Sequence, residues 1–267
     1  MMADINVMRK VLEKVDNGME AAIVSITRSS GSTPRQIGTS FGVLGDGSII
    51  GTIGGGALEN RVMQLAMEAI EKGESIAHHL PLDSEGIKMV CGGNVDIFID
   101  VFKKRPRLLI SGGGHVGYEL YRAASLLDFD IVVFDDREEF LNEERFPLAK
   151  EIILGPMNEN LKKYKMTEDT YIVIVTRGHK LDQECLEAVI GADVKYIGAM
   201  GSKRKVIIMM DHLKESGFSI EDLNKIYAPI GLDIATNKPS EIAISILGEI
   251  LQIKNEGELK NRKREVK

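Results

Sequence analysis

RLLISGGGHVGYELYRAASLLDFDIVVFDDR, residues 107–137, is the stretch whose reading decides the fold. Leu108-Leu109-Ile110 is a continuous apolar run, the pattern of a strand buried on both faces. Gly112, Gly114 and Gly117 follow in Gly-x-Gly-x-x-Gly spacing, with His115 and Val116 between the last two. A helix-period segment, 118–127, leads to a second apolar run, 131–134, that ends on Asp135, Asp136 and Arg137. The glycines permit a tight turn, close approach of a phosphate, and packing of helix on strand. The free N–H groups at the helix start then face an anion. An acid at the end of the second strand is placed to accept from a ribose hydroxyl. Asp135 in that role points to NAD, and Arg137 beside it suits a 2′-phosphate. The unit therefore reads as nucleotide-binding.

Working outward, KKRPR (103–107) is a short polar connector, and we place a domain boundary there, with domains at 1–104 and 105–267. Beyond residue 137, strands are expected at 151–154, 171–175 and 195–198, and helices at 182–190, 202–215 and 239–254. Strands alternating with helices predict a Rossmann-like, doubly wound parallel sheet. Before the connector, a helix is expected at 4–17 and a strand at 21–27. A hairpin follows at 41–44 and 48–53, then a helix at 57–72 and strands at 75–80 and 94–102. The whole is α/β: an N-terminal α+β domain followed by the Rossmann-like domain.

Bulk properties narrow the function. The 267 residues carry a net charge of −6, which gives no general attraction to nucleic acid. No apolar run approaches the ~18 residues of a membrane span. The N-terminal stretch reads as an amphipathic helix, not a signal peptide. Cys91 and Cys185 stand far apart without metal spacing, so a cytoplasmic location with reduced thiols is expected.

Several other clusters are candidates for chemistry. Gly54-Gly55-Gly56 joins a strand to a helix, with Glu59 in the first turn as a possible cap and Arg35 in the preceding loop as an anion partner. Taken alone, this reads as a structural turn. Cys91-Gly92-Gly93 puts a thiol beside a free backbone, as soft ligand, nucleophile or inert core residue. Thr176-Arg177-Gly178-His179 lies at a strand's carboxyl end; His179 is a candidate acid/base, with Asp182 either orienting it or capping the helix. Ser202 is a good N-cap, and Lys203, Arg204 and Lys205 behind it oppose the helix dipole, which suggests that they face an anion or a carboxylate. His78 and His79 are adjacent on a strand and cannot form a same-face metal pair. No metal site is expected.

Taken together, GSTPRQIGTSFGVLGDGSIIGTIGGGALE (31–59), CGGNVDIFID (91–100), GGGHVGYEL (112–120), VVFDDR (132–137), YIGAMGSKRK (196–205) and GLDIATNKPSEIAISILGEI (231–250) resemble the XdhC/CoxI family. Its members are accessory factors of xanthine dehydrogenase and related molybdenum hydroxylases. The resemblance implies a cytoplasmic, homodimeric cofactor chaperone. Such a factor binds molybdenum cofactor, assists its sulfuration and insertion into a hydroxylase client, and has a sulfur-donating desulfurase as a candidate second partner. It makes Arg35, Gly54, Gly55, Gly56, Glu59, Cys91, Gly92 and Gly93 candidate pterin contacts. It makes Gly112, Gly114, His115, Val116, Gly117, Asp135, Asp136 and Arg137 the nucleotide contacts, with Thr176, His179 and Ser202 nearby. The chain departs from the family at Arg177-Gly178-His179, where many members carry a His-acid-His run, and at Ala235 and Lys238, where a Gly and a Thr are usual. The competing reading is an NAD(P)-dependent oxidoreductase; Cys91 and His179 are its only candidate catalytic groups.

Overall fold

The computed structural model describes residues 5–31, 36–82 and 93–258. The chain divides into two compact units, Met1–Lys104 and Arg105–Lys267. Among the described residues no helix is long and apolar enough to cross a membrane.

In the first unit, helix α1 (Ile5–Asp16) precedes strands β1 (Ala21–Ser30), β2 (Ser40–Leu44) and β3 (Ile49–Ile50). Helix α2 (Gly56–Lys72) and strands β4 (Ile76–Pro81) and β5 (Asn94–Phe102) complete it. The strands form one antiparallel sheet in the order β3-β2-β1-β5-β4. Residue alternation sorts its faces. Ala22, Val24, Ile26, Ile97 and Ile99 pack with Leu58, Val62 and Leu65 of α2, while Ala21 and Ile23 meet Val7 and Val11 of α1. The third strand is shorter than the expected 48–53 segment. It stops at Gly51, whose φ of +87° turns the chain away from the sheet.

The second unit is built on β6 (Arg107–Ser111), β7 (Asp130–Asp135), β8 (Glu151–Leu154), β9 (Thr170–Ile174), β10 (Tyr196–Ala199) and β11 (Ile226–Tyr227). All pairings are parallel, in the order β11-β10-β9-β6-β7-β8. Helices α3 (His115–Ala124) and α8 (Pro239–Lys254) cover one face. The other is covered by α4 (Met157–Lys163), α5 (His179–Val189) and α6 (Lys203–Glu215), followed by the short α7 (Ile220–Leu223). This is the doubly wound sheet expected from the sequence. The elements α4, α7 and β11, too short to show a period, were not expected. Helix α5 also starts three residues earlier than expected, which places Asp182 inside its first turn.

The chain leaves β6 toward β7 on one side and returns to β9 on the other. That reversal opens a crevice at the strands' carboxyl ends. Two glycines make the junction there. Gly112 takes a φ of +117°, and a Cβ on it would lie 2.5 Å from the Val175 carbonyl oxygen after β9. A Cβ on Gly117 would lie 1.8 Å from the Gly112 oxygen, so helix α3 seats against its own turn only without a side chain. By contrast, a Cβ on Gly114 meets nothing within 4 Å. Gly117→Ala is therefore expected to cost about 3 kcal/mol or more of stability in urea denaturation. Gly114→Ala should stay within about 0.5 kcal/mol of the parent. Equal effects would mean that helix packing does not dictate the spacing.

Candidate functional site

Helix α3 begins at the Gly114 N-cap with no side-chain cap and no acid in its first turn. Its opening N–H groups are left for an external acceptor, and the helix dipole places partial positive charge there. Gly114 is partly exposed and His115 is exposed, so the end is reachable.

Asp135 departs from the sequence expectation. It ends β7 fully buried. Its Oδ2 accepts from Gly113 N (2.8 Å) and Arg137 Nη2 (3.0 Å), and its Oδ1 from Arg137 N (3.0 Å) and Nε (2.9 Å). A carboxylate has about four acceptor positions, and all four are filled from within. No position remains for a ribose hydroxyl, and Arg137, its charge matched, is not free for a 2′-phosphate. Burial pushes the Asp135 carboxyl up, but the Arg137 and Gly113 donors outweigh it and hold the group below its ordinary value. Asp136, partly exposed, bonds instead to Arg177 Nη2 at 2.8 Å, an ion pair from the end of β7 to the loop after β9.

Residues 138–150, between β7 and β8, form no regular element. They lie over the glycine turn: a Cβ on Gly113 would be 2.6 Å from the Phe140 oxygen. The Arg137 guanidinium stacks 3.9 Å from the Phe140 ring centroid. Arg145 lies 4.5 Å over the Tyr118 ring on the first turns of α3 and donates from Nη2 to the Gly113 oxygen at 3.2 Å. Nothing in the sequence pattern pointed to Arg145; the usable signal is the interleaving of Arg137, Phe140, Arg145 and Phe146 in a stretch without periodicity.

Among the described residues, three buried side-chain polar atoms lack a hydrogen-bond partner: Ser111 Oγ, Arg145 Nε and His179 Nε2. Each lies toward the carboxyl-terminal end of the parallel sheet. Ser111, fully buried, is the last residue of β6; Arg145 holds the glycine turn; His179 opens α5 just after β9. Buried orphans are rare, and three toward one end of the sheet make that end the candidate ligand site.

Beside them Thr176 and Asp182 are closed on one another. The Thr176 hydroxyl and N–H donate to Asp182 Oδ1 at 2.6 and 3.2 Å, so Asp182 braces the turn and does not orient His179. Burial pushes the Asp182 carboxyl up, and the Thr176 bonds offset part of that rise. Ser202 accepts from Lys205 N as a helix cap, and Lys203, Arg204 and Lys205 are exposed. Cys185 lies buried in α5, its thiol pushed up to about 12 by burial with nearby carboxylates adding to the rise, which rules it out as a nucleophile.

The other glycine turn is closed. Gly54, Gly55 and Gly56 all take positive φ. Glu59 reaches back to accept from Ile53 N and Gly55 N, both at 3.2 Å, and from the Thr52 hydroxyl, while Gly54 N donates to Thr52 Oγ1. The protein's own carboxylate sits where a bound anion would, which disfavours this turn as a phosphate contact. Gly93 is buried and its oxygen accepts from Leu82 N at 2.8 Å. Arg35, Cys91 and Gly92 lie outside the described residues.

Comparison with known proteins places these features. The model of the XdhC Rossmann domain matches residues 108–250, and that of the XdhC and CoxI family matches residues 15–80. The chain is 34% identical over 255 residues to an uncharacterized protein, YqeB, of Escherichia coli (strain K12), covering 94% of this chain and 47% of that one, so it spans about half that relative's length. It is 21% identical over 300 residues to the molybdenum cofactor insertion chaperone PaoD of the same organism, covering 93% of this chain and 88% of that one. A crystal structure of a xanthine dehydrogenase from Bacillus halodurans, 20% identical, aligns over 97% of each chain with a TM-score of 0.54, a likeness of fold.

Two outcomes follow from the site's geometry. Asp135→Asn leaves the partly exposed Arg137 beside a neutral group and removes a buried acceptor, and should cost about 2 kcal/mol at neutral pH. Because the folded carboxyl is held below its unfolded value, the stability it adds is complete above about pH 4 and is lost as pH falls through the folded value. Urea midpoints measured from pH 2 to 7 should therefore fall less steeply at the acid end in the variant; parallel curves would mean that Asp135 titrates as a free acid. Separately, iodoacetamide at pH 8 should leave Cys185 unlabelled in the folded protein and label it in urea, read by peptide mass; rapid native labelling would contradict its burial.

Proposed function

Given that the chain belongs to the XdhC and CoxI family, we propose that it is a molybdenum hydroxylase maturation factor. It binds molybdenum cofactor, a phosphorylated pterin dithiolene, and helps deliver it, in sulfurated form, to a hydroxylase of the xanthine dehydrogenase type. The observation that carries this reading is the imbalance at the crevice of the parallel sheet. It offers donors and positive charge while its acids are committed inside: Asp135 to Gly113 and Arg137, Asp182 to Thr176. A site whose carboxylates are spent while donors stay free is suited to holding an anion. The relative named a cofactor insertion chaperone, aligned over most of its length, supports the choice of cargo. Delivery then requires a client enzyme, with which the factor docks as a homodimer and alongside a sulfur donor.

Protein expressed in a host that makes molybdenum cofactor and purified without oxygen should carry molybdenum and pterin in near-equal amounts, read by metal analysis and by fluorescence of the oxidised pterin. Adding it to an apo-hydroxylase should transfer both. Folded protein that retains neither, even after anaerobic loading with the cofactor, would overturn the proposal.

A further inference from the structure

We infer that the crevice is a site for a terminal phosphate group, and that it excludes the nucleoside half that a dinucleotide would place beside β7. The inference rests on the reading above, that the cargo is a phosphorylated pterin, and adds which group of the cargo this chain grips and where.

Three observations converge on the phosphate. The uncapped start of α3 presents the N–H groups of Gly114, His115 and Val116, and the open space at Gly114 lets an anion approach the backbone. Arg145 lies along that first turn. Its neighbours Arg137 and Arg177 have their charge matched by Asp135 and Asp136, whereas Arg145 bonds only a carbonyl oxygen and three aromatic rings. Among the described residues no carboxylate answers it, and its buried Nε has no acceptor. An unmatched guanidinium with a buried Nε is costly, and a doubly charged oxyanion removes that cost while taking up its remaining donors. Finally, Ser111 Oγ and His179 Nε2 are buried and unpartnered at the same strand ends, further donors for a group with several oxygens.

The exclusion follows from Asp135. Binding a nucleoside beside β7 uses the acid at that strand's end for the ribose diol. Here that acid has no free acceptor position, and the ground next to it is covered by the Arg137–Phe140 stack. The turn keeps the phosphate-binding half of the motif and has closed the nucleoside half.

The test uses the purified full chain in phosphate-free buffer, titrated with inorganic phosphate and with NAD by calorimetry at two salt concentrations. Phosphate should bind, more weakly at high salt, and NAD should bind no tighter than phosphate. Arg145→Met should weaken phosphate binding by at least about tenfold, and Arg145→Lys, which keeps the charge but not the planar fork, by less. In the wild-type protein, phosphate should shift the amide resonances of Gly114, His115 and Val116, a measurement that needs no variant to fold. Phosphate binding unchanged in Arg145→Met, NAD binding tighter than phosphate, or unmoved amides would each overturn the inference. Pterin retained equally by wild type and Arg145→Met would sink this inference but leave the proposed function standing. Arginine-dependent phosphate binding in a protein that never carries pterin would do the reverse.

Discussion

The carboxylate of Asp135 sets the geometry of everything around the glycine turn. One oxygen holds Gly113 N–H and so fixes the turn; the same group clamps Arg137, whose guanidinium lies on Phe140. From there contacts run onward: Arg145 over Tyr118, and Phe146 edge-on to Tyr118 and Tyr121 at 5.7 and 4.8 Å between centroids. A crossover between parallel strands usually packs through a helix. Residues 138–150 have none, and this ladder of arginines and rings does the helix's work, anchoring an irregular segment to α3 and the sheet. The anchor is electrostatic at its root, which makes the segment's placement depend on one buried acid staying charged.

The chain makes a strand-glycine-helix turn twice, with opposite results. At 54–56 the helix start is answered from inside by Glu59, four residues from Gly55. At 112–114 the first turn of α3 holds no acid, and the nearby carboxylate, Asp135, is spent on the turn's preceding N–H and on an arginine. The same backbone device is thus self-capped in one unit and left open in the other. What separates them is not the glycines but where the nearest acid falls: within reach of the opening N–H groups, or one strand away.

This contrast separates what is legible in the sequence from what is not. The buried runs at 108–110 and 131–134, the glycine spacing and the strand-helix alternation all report local periodicity, and they led to the right sheet, the right turn and helix bounds within a few residues. A cap from Glu59 was also legible, because a residue in the first turn can reach only a few backbone groups. The role of Asp135 was not. Its position at a strand end marks it for a ribose, and only the side chain two residues later, folded back across an irregular turn, removes it from that role. Arg145 is 32 residues from the Gly113 oxygen that it holds, a separation at which pattern carries no information. Residues 157–163 and 220–227 went unread because elements of two to seven residues are shorter than the window in which a period can be seen.

A maturation factor of the kind proposed must hold its cargo and also let it go, and the distribution of charge at the crevice suits both. The deep contributions come from fixed elements: backbone N–H groups, a stacked guanidinium and buried side chains that need no rearrangement to accept an anion. The outer one is the Asp136–Arg177 pair, whose side chains are 28% and 53% exposed. An exposed ion pair of this kind contributes little and opens readily. It links the ends of β7 and β9, the strands that flank β6, and so spans the line along which a ligand reaches the glycine turn. The proposed anion site therefore has its donors fixed in the interior and, at its edge, an ion pair weak enough to be exchanged.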